Sequence, residues 1–501
     1  DYTHADLGGC FGGNCKVAGG YDFVNKDNDP KDDNGHGTHV AATAAGNGVL
    51  KGVAPDATIY AYKVLNAEGS GTWVNVIAAI ERSVDLNQNR IPCEKNDYLD
   101  VISLSLGGAG DPDDPQSRAI DNAALCTIAV VAAGNSGPYV RTIGSPGTAR
   151  KAITVGASYK TNYQQFEWSC TSGTETSCGR CPSTGKILCD YWGDGNPVTD
   201  QITSFSSRGP IKGIDRNQKP DLVAPGAIIC SSRFDNIFPD GSNPYYKICL
   251  DNKHVQLAGT SMATPMVAGA AALLKQKHPD WKPGEIKTIL KNTAIKLIDP
   301  KTKKEYSIDA QGSGKINIQS AITRNNPAIA EIKISYFIEG KRDIKGTAKG
   351  ENFKEYKLFF AKSENPSIWN ELITNNKQID NGILFTFDPS SLDDGTYFLK
   401  LEVFNNQGEK FEDKNQFYYS KTNPNIQKIG KYRTPTQGGT SHGAEIDKDK
   451  IVWSEKKGSL KIYDFTTKKS TEIYYDSLIE PRYPDIFGNK IAYTKYGDTI
   501  D

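Results

Sequence analysis

Three short stretches carry residue types that could act on one another. "GTSMATPMVAG" (259–269) sets Ser261 between glycines and a run of small residues, "NGHGTHVA" (34–41) holds His36, and "VVAAGNSGP" (130–138) holds Asn135. A serine hydroxyl is a poor nucleophile until a base takes its proton in the transition state. Histidine is the natural base, because its ordinary pKa lies near neutrality. An asparagine amide can donate to the oxyanion that forms when a carbonyl is attacked. Glycines beside Ser261 and His36 let backbone and substrate approach closely. The positive end of a helix beginning near Ser261 favours the same developing charge.

The elements that position these residues are legible around them. "DVISLSLGG" (100–108), "CTIAVVAAGN" (126–135) and "AITVGAS" (152–158) are short apolar runs ending in turn residues, as buried parallel strands do. "THVAATAAG" and "SMATPMVAGAAALLKQKH" read as helices between them. Such alternation predicts an α/β domain with a doubly wound, mostly parallel sheet over residues 1–325. From "RNNPAIAEIKIS" (324–335) small residues give way to Lys, Asn, Tyr and Phe in alternating runs, which predicts an all-β sandwich of the immunoglobulin or fibronectin kind over 328–420. "DDGTYFLKL" places Tyr397 where a tyrosine corner would lie. A polar linker is expected at 421–437. "AEIDKDKIVWSE" (444–455) recurs as "PDIFGNKIAYTK" (484–495), a spacing of about 40 residues that predicts partial β-propeller-like repeats over 438–501.

The chain of 501 residues has 59 basic and 59 acidic side chains, so no charge excess points to nucleic acid or to an anionic membrane. No apolar run is long enough to span a bilayer. The chain opens without Met at "DYTHADLGG" and stops at "TKYGDTID", so further sequence is expected on both sides. Ten cysteines, all in the first half, suit disulfides in an oxidising compartment. Cys10–Cys15 would close a tight loop, Cys230–Cys249 another, and Cys93–Cys126 is the remaining pair. Cys170, Cys178, Cys181 and Cys189 fit two disulfides, with a zinc site as the alternative.

"HGTHVA", "SLSLGG", "AAGNSGP", "SFSSRGP", "KPDLVAPG" and "GTSMATPMVAG" together, in this order, resemble the subtilisin-like serine peptidases, the subtilases. The resemblance covers 1–325, and "GSGKINIQSAI" (312–322) resembles the end of that domain. It implies an endopeptidase with Ser261 as nucleophile, His36 as general base, and Asn135 with the backbone N–H of Ser261 as oxyanion donors. "SLSLGG" would be the edge that an extended peptide joins, with Ser103, Ser105, Leu106 and Gly107 as substrate-binding residues. The family's orienting aspartate lies in a turn that precedes the phrase matching "DYTHADL", so it is expected upstream of residue 1. Asp1 aligns with a later position, and Asp32 and Asp33 are expected to shape the turn before His36.

"VDLNQNRIPCEKND" (84–97) has Asp85, Asn87 and Asn89 at alternate positions, the spacing of a calcium loop's first ligands, with Asp97 available to complete the shell. Calcium would be structural, and the chemistry needs no cofactor. The loop "AAGNGVLKGVAP" is too short for a second calcium loop, so Asp6 is assigned no site. His39 lies on a neighbouring helix face from His36 and is read as structural. The expected function is that of a secreted or cell-surface peptidase, a monomer acting on proteins or peptides. A catalytically inactive binding protein on the same fold is the alternative. The pocket residues "SLSLGG" and "GSPGTARKAITVGA" favour a medium or large apolar side chain before the scissile bond.

Overall fold

In the computed structural model, the described residues are 1–160, 166–169, 171–173, 175–176, 179–180, 183, 186–189, 200–211, 218–234, 247–300, 302–335, 337–338, 340–419 and 421, with strands at 444–447, 450–455, 459–464, 469–475, 480–487 and 490–496. Two compact units are present, Asp1–Tyr419 and Ser420–Asp501.

The first unit begins with β1 (Val17–Asp22), α1 (His36–Ala45), β2 (Ile59–Lys63), α2 (Trp73–Ser83), β3 (Val101–Leu104), α3 (Pro115–Ala123), β4 (Ile128–Ala132) and β5 (Ile153–Ser158). β6 (Leu222–Pro225), β7 (Ile229–Ser232), β8 (His254–Leu257), α4 (Thr260–Lys277) and α5 (Pro283–Asn292) follow. Strands β6, β5, β4 and β3 form a parallel sheet in that order, with Val101 opposite Ile128, Val130 opposite Ile153 and Val155 opposite Leu222. β1 and β2 pair in parallel as a separate ribbon. β7 and β8 are antiparallel, so that Ser232 faces His254.

Alternating helices and strands with apolar runs bury both faces of a parallel sheet, and here Val130, Val155 and Leu222 are fully buried. Helix α4 lies across the sheet on Ala263, Val267, Ala270, Ala271 and Leu274, all at 0% exposure. Its small residues also let α1 come close. A Cβ on Gly269 would sit 2.6 Å from Val53 Cβ and 2.8 Å from Ala44 O. Glycine at this position therefore sets the separation of the two helices that carry His36 and Ser261.

Two sheets follow in the same unit. One contains β9 (Ala328–Lys333), β10 (Arg342–Gly350) and β13 (Ile379–Phe387). The other contains β11 (Phe353–Ala361), β12 (Asn370–Asn375), β14 (Gly395–Asn405) and β15 (Lys410–Tyr419), with the short strand Phe337–Ile338. Their inward side chains share one core, where Phe387 meets Phe417 edge-on and Tyr356 Oη donates to Leu384 O at 2.7 Å. Tyr397 Oη donates to Asp393 O at 3.0 Å, which makes the expected corner. The sandwich is fixed to the α/β part through α5: Lys291 Nζ lies 2.7 Å from Asp413 Oδ1, and Glu412 N donates to Asn292 Oδ1 at 2.6 Å.

The second unit contains a four-stranded antiparallel sheet, Ala444–Asp447, Lys450–Glu455, Ser459–Asp464 and Lys469–Tyr475, and a hairpin of Glu480–Phe487 with Lys490–Tyr496. No closed propeller is formed by these strands. The linker expected at 421–437 lies outside the described residues except for Lys421. Among the described residues no helix is long and apolar enough to cross a membrane.

Candidate active site

Ser261 stands in the first turn of α4, directly after the Gly259 cap. Helix geometry leaves the first N–H groups without intrahelical partners, so the Ser261 N–H is available to a ligand. Gly259 takes φ 153°, and a Cβ there would lie 3.3 Å from Asn135 Nδ2 and 3.6 Å from Ser261 N. Both donors therefore border the space that glycine leaves open.

Asn135 follows β4 at the end of the sheet, where parallel α/β folds gather their sites. Its Oδ1 accepts from Thr260 N at 2.9 Å and from Thr260 Oγ1 at 3.0 Å. Thr260 Oγ1 in turn accepts from Gly134 N at 3.2 Å. These bonds fix which end of the Asn135 amide faces Thr260.

The hydroxyl of Ser261 donates to Ser105 O at 3.3 Å, and Ser105 Oγ donates to Ser261 O at 2.8 Å. The side chain of Ser105, expected to meet substrate, is thus bonded to the turn that carries Ser261. β3 is an edge strand of its sheet. Ser103 within it and Gly107 beyond it are exposed, and Gly108 pairs with Ser145 through two backbone bonds of 2.9 Å. Leu106 is partly buried against the core beneath that edge.

His36 is the first residue of α1, and its partner helix is α4: Val40 and Met262 share an apolar cluster with Ile229, Val255 and Leu257. Burial pushes the His36 imidazole below its ordinary pKa, and the charge of Asp32 works against this. The neutral ring that burial favours is the form a general base needs. Among the described residues, none gives the His36 ring a hydrogen-bonded carboxylate. Asp32 shapes the turn as expected, accepting from the N–H groups of Asn34, Gly35 and Thr38 and from Thr38 Oγ1 at 2.6 Å.

His39 is fully buried, with Nε2 at 2.9 Å from Ile229 O and 3.2 Å from Val255 O. Burial holds its pKa down to about 4, so it is a neutral packing histidine. Met262, next to Ser261, is buried at 1%, and Met266 is packed against the same core.

In the loop after α2, Asp85 accepts from Asn89 N at 3.0 Å and Arg90 N at 2.8 Å. Asn87 Oδ1 accepts from Asn89 N, and Asn89 Oδ1 from Ile91 N. Asp97 is buried at 8% exposure: its Oδ1 accepts from Asn87 N at 2.9 Å, while Oδ2 has no hydrogen-bond partner. The disulfides Cys10–Cys15 and Cys230–Cys249 close the two expected loops, the remaining pair Cys93–Cys126 is also formed, and it ties this loop to the segment before β4. Cys170, Cys178 and Cys181 lie outside the described residues, as does the side chain of Cys189. Among the described residues, a tight cluster of metal-ligating groups lies elsewhere, at His4, Asp6 and His254, where sequence reading assigned nothing. Those residues are far apart in the chain and share no motif, so only the fold brings them together. Two clefts lie between α5 and the sandwich, bordered by Asp221, Lys291 and Asp413, and neither is lined by Ser261.

Known proteins resemble this chain in sequence. The family profile described as the subtilase family matches residues 1–315. Serine protease AprX of Bacillus subtilis (strain 168) is 35% identical over 332 residues, covering 64% of this chain and 64% of that protein. Minor extracellular protease Vpr of the same strain is 32% identical over 429 residues, covering 64% of this chain and 50% of that protein. Subtilisin Savinase of Lederbergia lenta is 33% identical over 324 residues, covering 64% of this chain and 86% of that protein. The chain thus spans less than two thirds of AprX and half of Vpr.

Proposed function

The chain belongs to the subtilase family, and from that premise we propose that it is a serine endopeptidase secreted to the extracellular space or cell surface. Ser261 Oγ attacks the peptide carbonyl while His36 takes its proton. The carbonyl oxygen becomes an oxyanion held by Asn135 Nδ2 and Ser261 N. His36 then gives the proton to the leaving amine, and water activated by the same ring releases the acyl group. The convergence of Asn135 Nδ2 and Ser261 N on the space beside Gly259 is the observation that carries this reading. An extended substrate would join the edge beyond β3 near Ser103, Leu106 and Gly107. The disulfides and the name of the relative Vpr support secretion.

Casein digestion by the full chain tests the activity. Digestion should vanish in Ser261→Ala. Casein left intact, or cut equally well by the Ser261→Ala chain, would contradict this reading.

The loop 84–97 is proposed to hold a structural calcium ion. Asp85, Asn87 and Asn89 offer oxygens at alternate positions, and the unpartnered Oδ2 of buried Asp97 supplies a further hard ligand. The ion would brace the loop between α2 and β3 and take no part in the chemistry. For the second unit, the four-stranded sheet is proposed to be one blade of a propeller.

A further inference from the structure

His4, Asp6 and His254 are buried at 8%, 1% and 1% exposure, and one ligand atom from each lies within 4.8 Å of the others. His4 and Asp6 come from the N-terminal segment around the short helix Ala5–Leu7, whereas His254 opens β8, the strand that leads to Gly259 and Ser261. Each imidazole is held by its other nitrogen. His254 Nδ1 is 2.6 Å from Asp251 Oδ1, and His4 Nε2 is 3.0 Å from Lys253 O. A ring nitrogen facing an oxygen acceptor carries the proton, so His4 carries its proton on Nε2 and keeps the Nδ1 lone pair. Metal-binding histidines are oriented in this way by carboxylates and backbone carbonyls. His254 has a carboxylate on each side, since its Nε2 lies 2.8 Å from Asp6 Oδ2. That contact holds a proton, and a metal ion bound by the same two atoms would take its place. Asp6 is fixed as well, since Oδ2 accepts from Ser232 Oγ at 2.9 Å and Oδ1 from Val49 N at 2.8 Å.

We propose that His4, Asp6 and His254 bind one divalent transition-metal ion of the zinc class. Two imidazoles with one carboxylate suit zinc, cobalt or nickel, whereas calcium and magnesium require a shell of oxygens. On binding, the ion displaces the proton between His254 and Asp6 and takes the His4 Nδ1 lone pair, which here accepts from Asp6 N at 3.1 Å. The ion acts as a clasp. It joins the N-terminal segment to the β7–β8 hairpin, and through Asp6 to Asn47 and Val49 in the loop after α1.

The test uses the full chain carrying Ser261→Ala, which prevents self-digestion, stripped with EDTA and titrated with Co²⁺ and Zn²⁺. The same titrations are run with His254→Gln and with His4→Ala added. The parent is expected to take up one Co²⁺ with visible d–d absorption at this site, and each variant to lose that equivalent. Zn²⁺ at a hundredfold excess over Kd should raise the parent's Tm by roughly 3–8 °C and leave the variants unmoved. Comparison with the variants separates this site from cysteine ligation at 170–189. Should His254→Gln not fold, His4→Ala gives the same reading. Equal Co²⁺ uptake in parent and variants, or no uptake in the parent, would show that a proton alone occupies the position and overturn the proposal.

Discussion

The side-chain oxygen of Asn135 accepts two hydrogen bonds from Thr260, one from its N–H at 2.9 Å and one from its hydroxyl at 3.0 Å. An amide nitrogen cannot accept either bond, so Nδ2 is the end turned away from Thr260. The residue before Ser261 therefore sets the orientation of the amide proposed to donate to the oxyanion.

Removing that donor should slow the chemical step far more than binding. Asn135→Ala is expected to lower kcat by about 10²–10³ with little change in KM. Thr260→Val keeps the N–H but loses the hydroxyl, so its loss should be smaller. Steady-state kinetics on a peptide p-nitroanilide would check both. A KM effect with unchanged kcat would place Asn135 in ground-state binding instead.

The acid limb of the pH profile should respond to Asp32. Burial lowers the His36 pKa, and the Asp32 charge raises it. Neutralising Asp32 removes the raising influence and leaves burial unopposed. The base then stays unprotonated to lower pH, so Asp32→Asn should move the acid limb of kcat/KM to lower pH. A limb that stays put, or moves to higher pH, contradicts the assignment of His36 as base under Asp32 influence.

Asp221 anchors the floor of the domain. It receives Lys219 Nζ at 2.7 Å, Lys287 Nζ at 3.0 Å and Thr154 N at 2.8 Å, with 4% exposure. Asp221→Ala strands a buried ammonium at Lys219, and should cost about 3–5 kcal/mol in denaturant unfolding. Lys219→Met with Asp221→Leu removes both charges and should cost much less. Equal losses would mean that the effect is one of packing.

The alternation of apolar runs with small-residue helices made the parallel sheet and both chemistry-bearing helices legible, because burial imposes that pattern directly. Ser261, His36 and Asn135 were legible because each sits in a glycine-bounded turn at an element's end. The role of Ser105 was not, since a serine on an edge segment looks the same whether it meets a peptide or the neighbouring turn. The His4, Asp6 and His254 cluster was hidden for another reason: its members are up to 250 positions apart, and β8 meets the N-terminal segment only through the tertiary fold. The propeller expectation rested on a repeat of two copies, and two copies specify strands without specifying closure.

Calcium should raise the thermal stability of the chain through the loop 84–97. Asp97→Ala and Asp85→Ala are each expected to abolish the Ca²⁺-dependent rise in Tm, whereas in EDTA Asp97→Ala loses only the bond that Asp97 Oδ1 accepts from Asn87 N and should lower Tm modestly. Differential scanning calorimetry with and without Ca²⁺ checks this. A calcium response that survives both substitutions would move the ion elsewhere.

The most direct measurement is covalent labelling by a fluorophosphonate, followed by mass spectrometry of the modified peptide. The adduct should fall on Ser261 alone, be absent in Ser261→Ala, and form at least tenfold more slowly in His36→Ala. An adduct on another serine, or a rate indifferent to His36, would contradict the pairing of that hydroxyl with that imidazole.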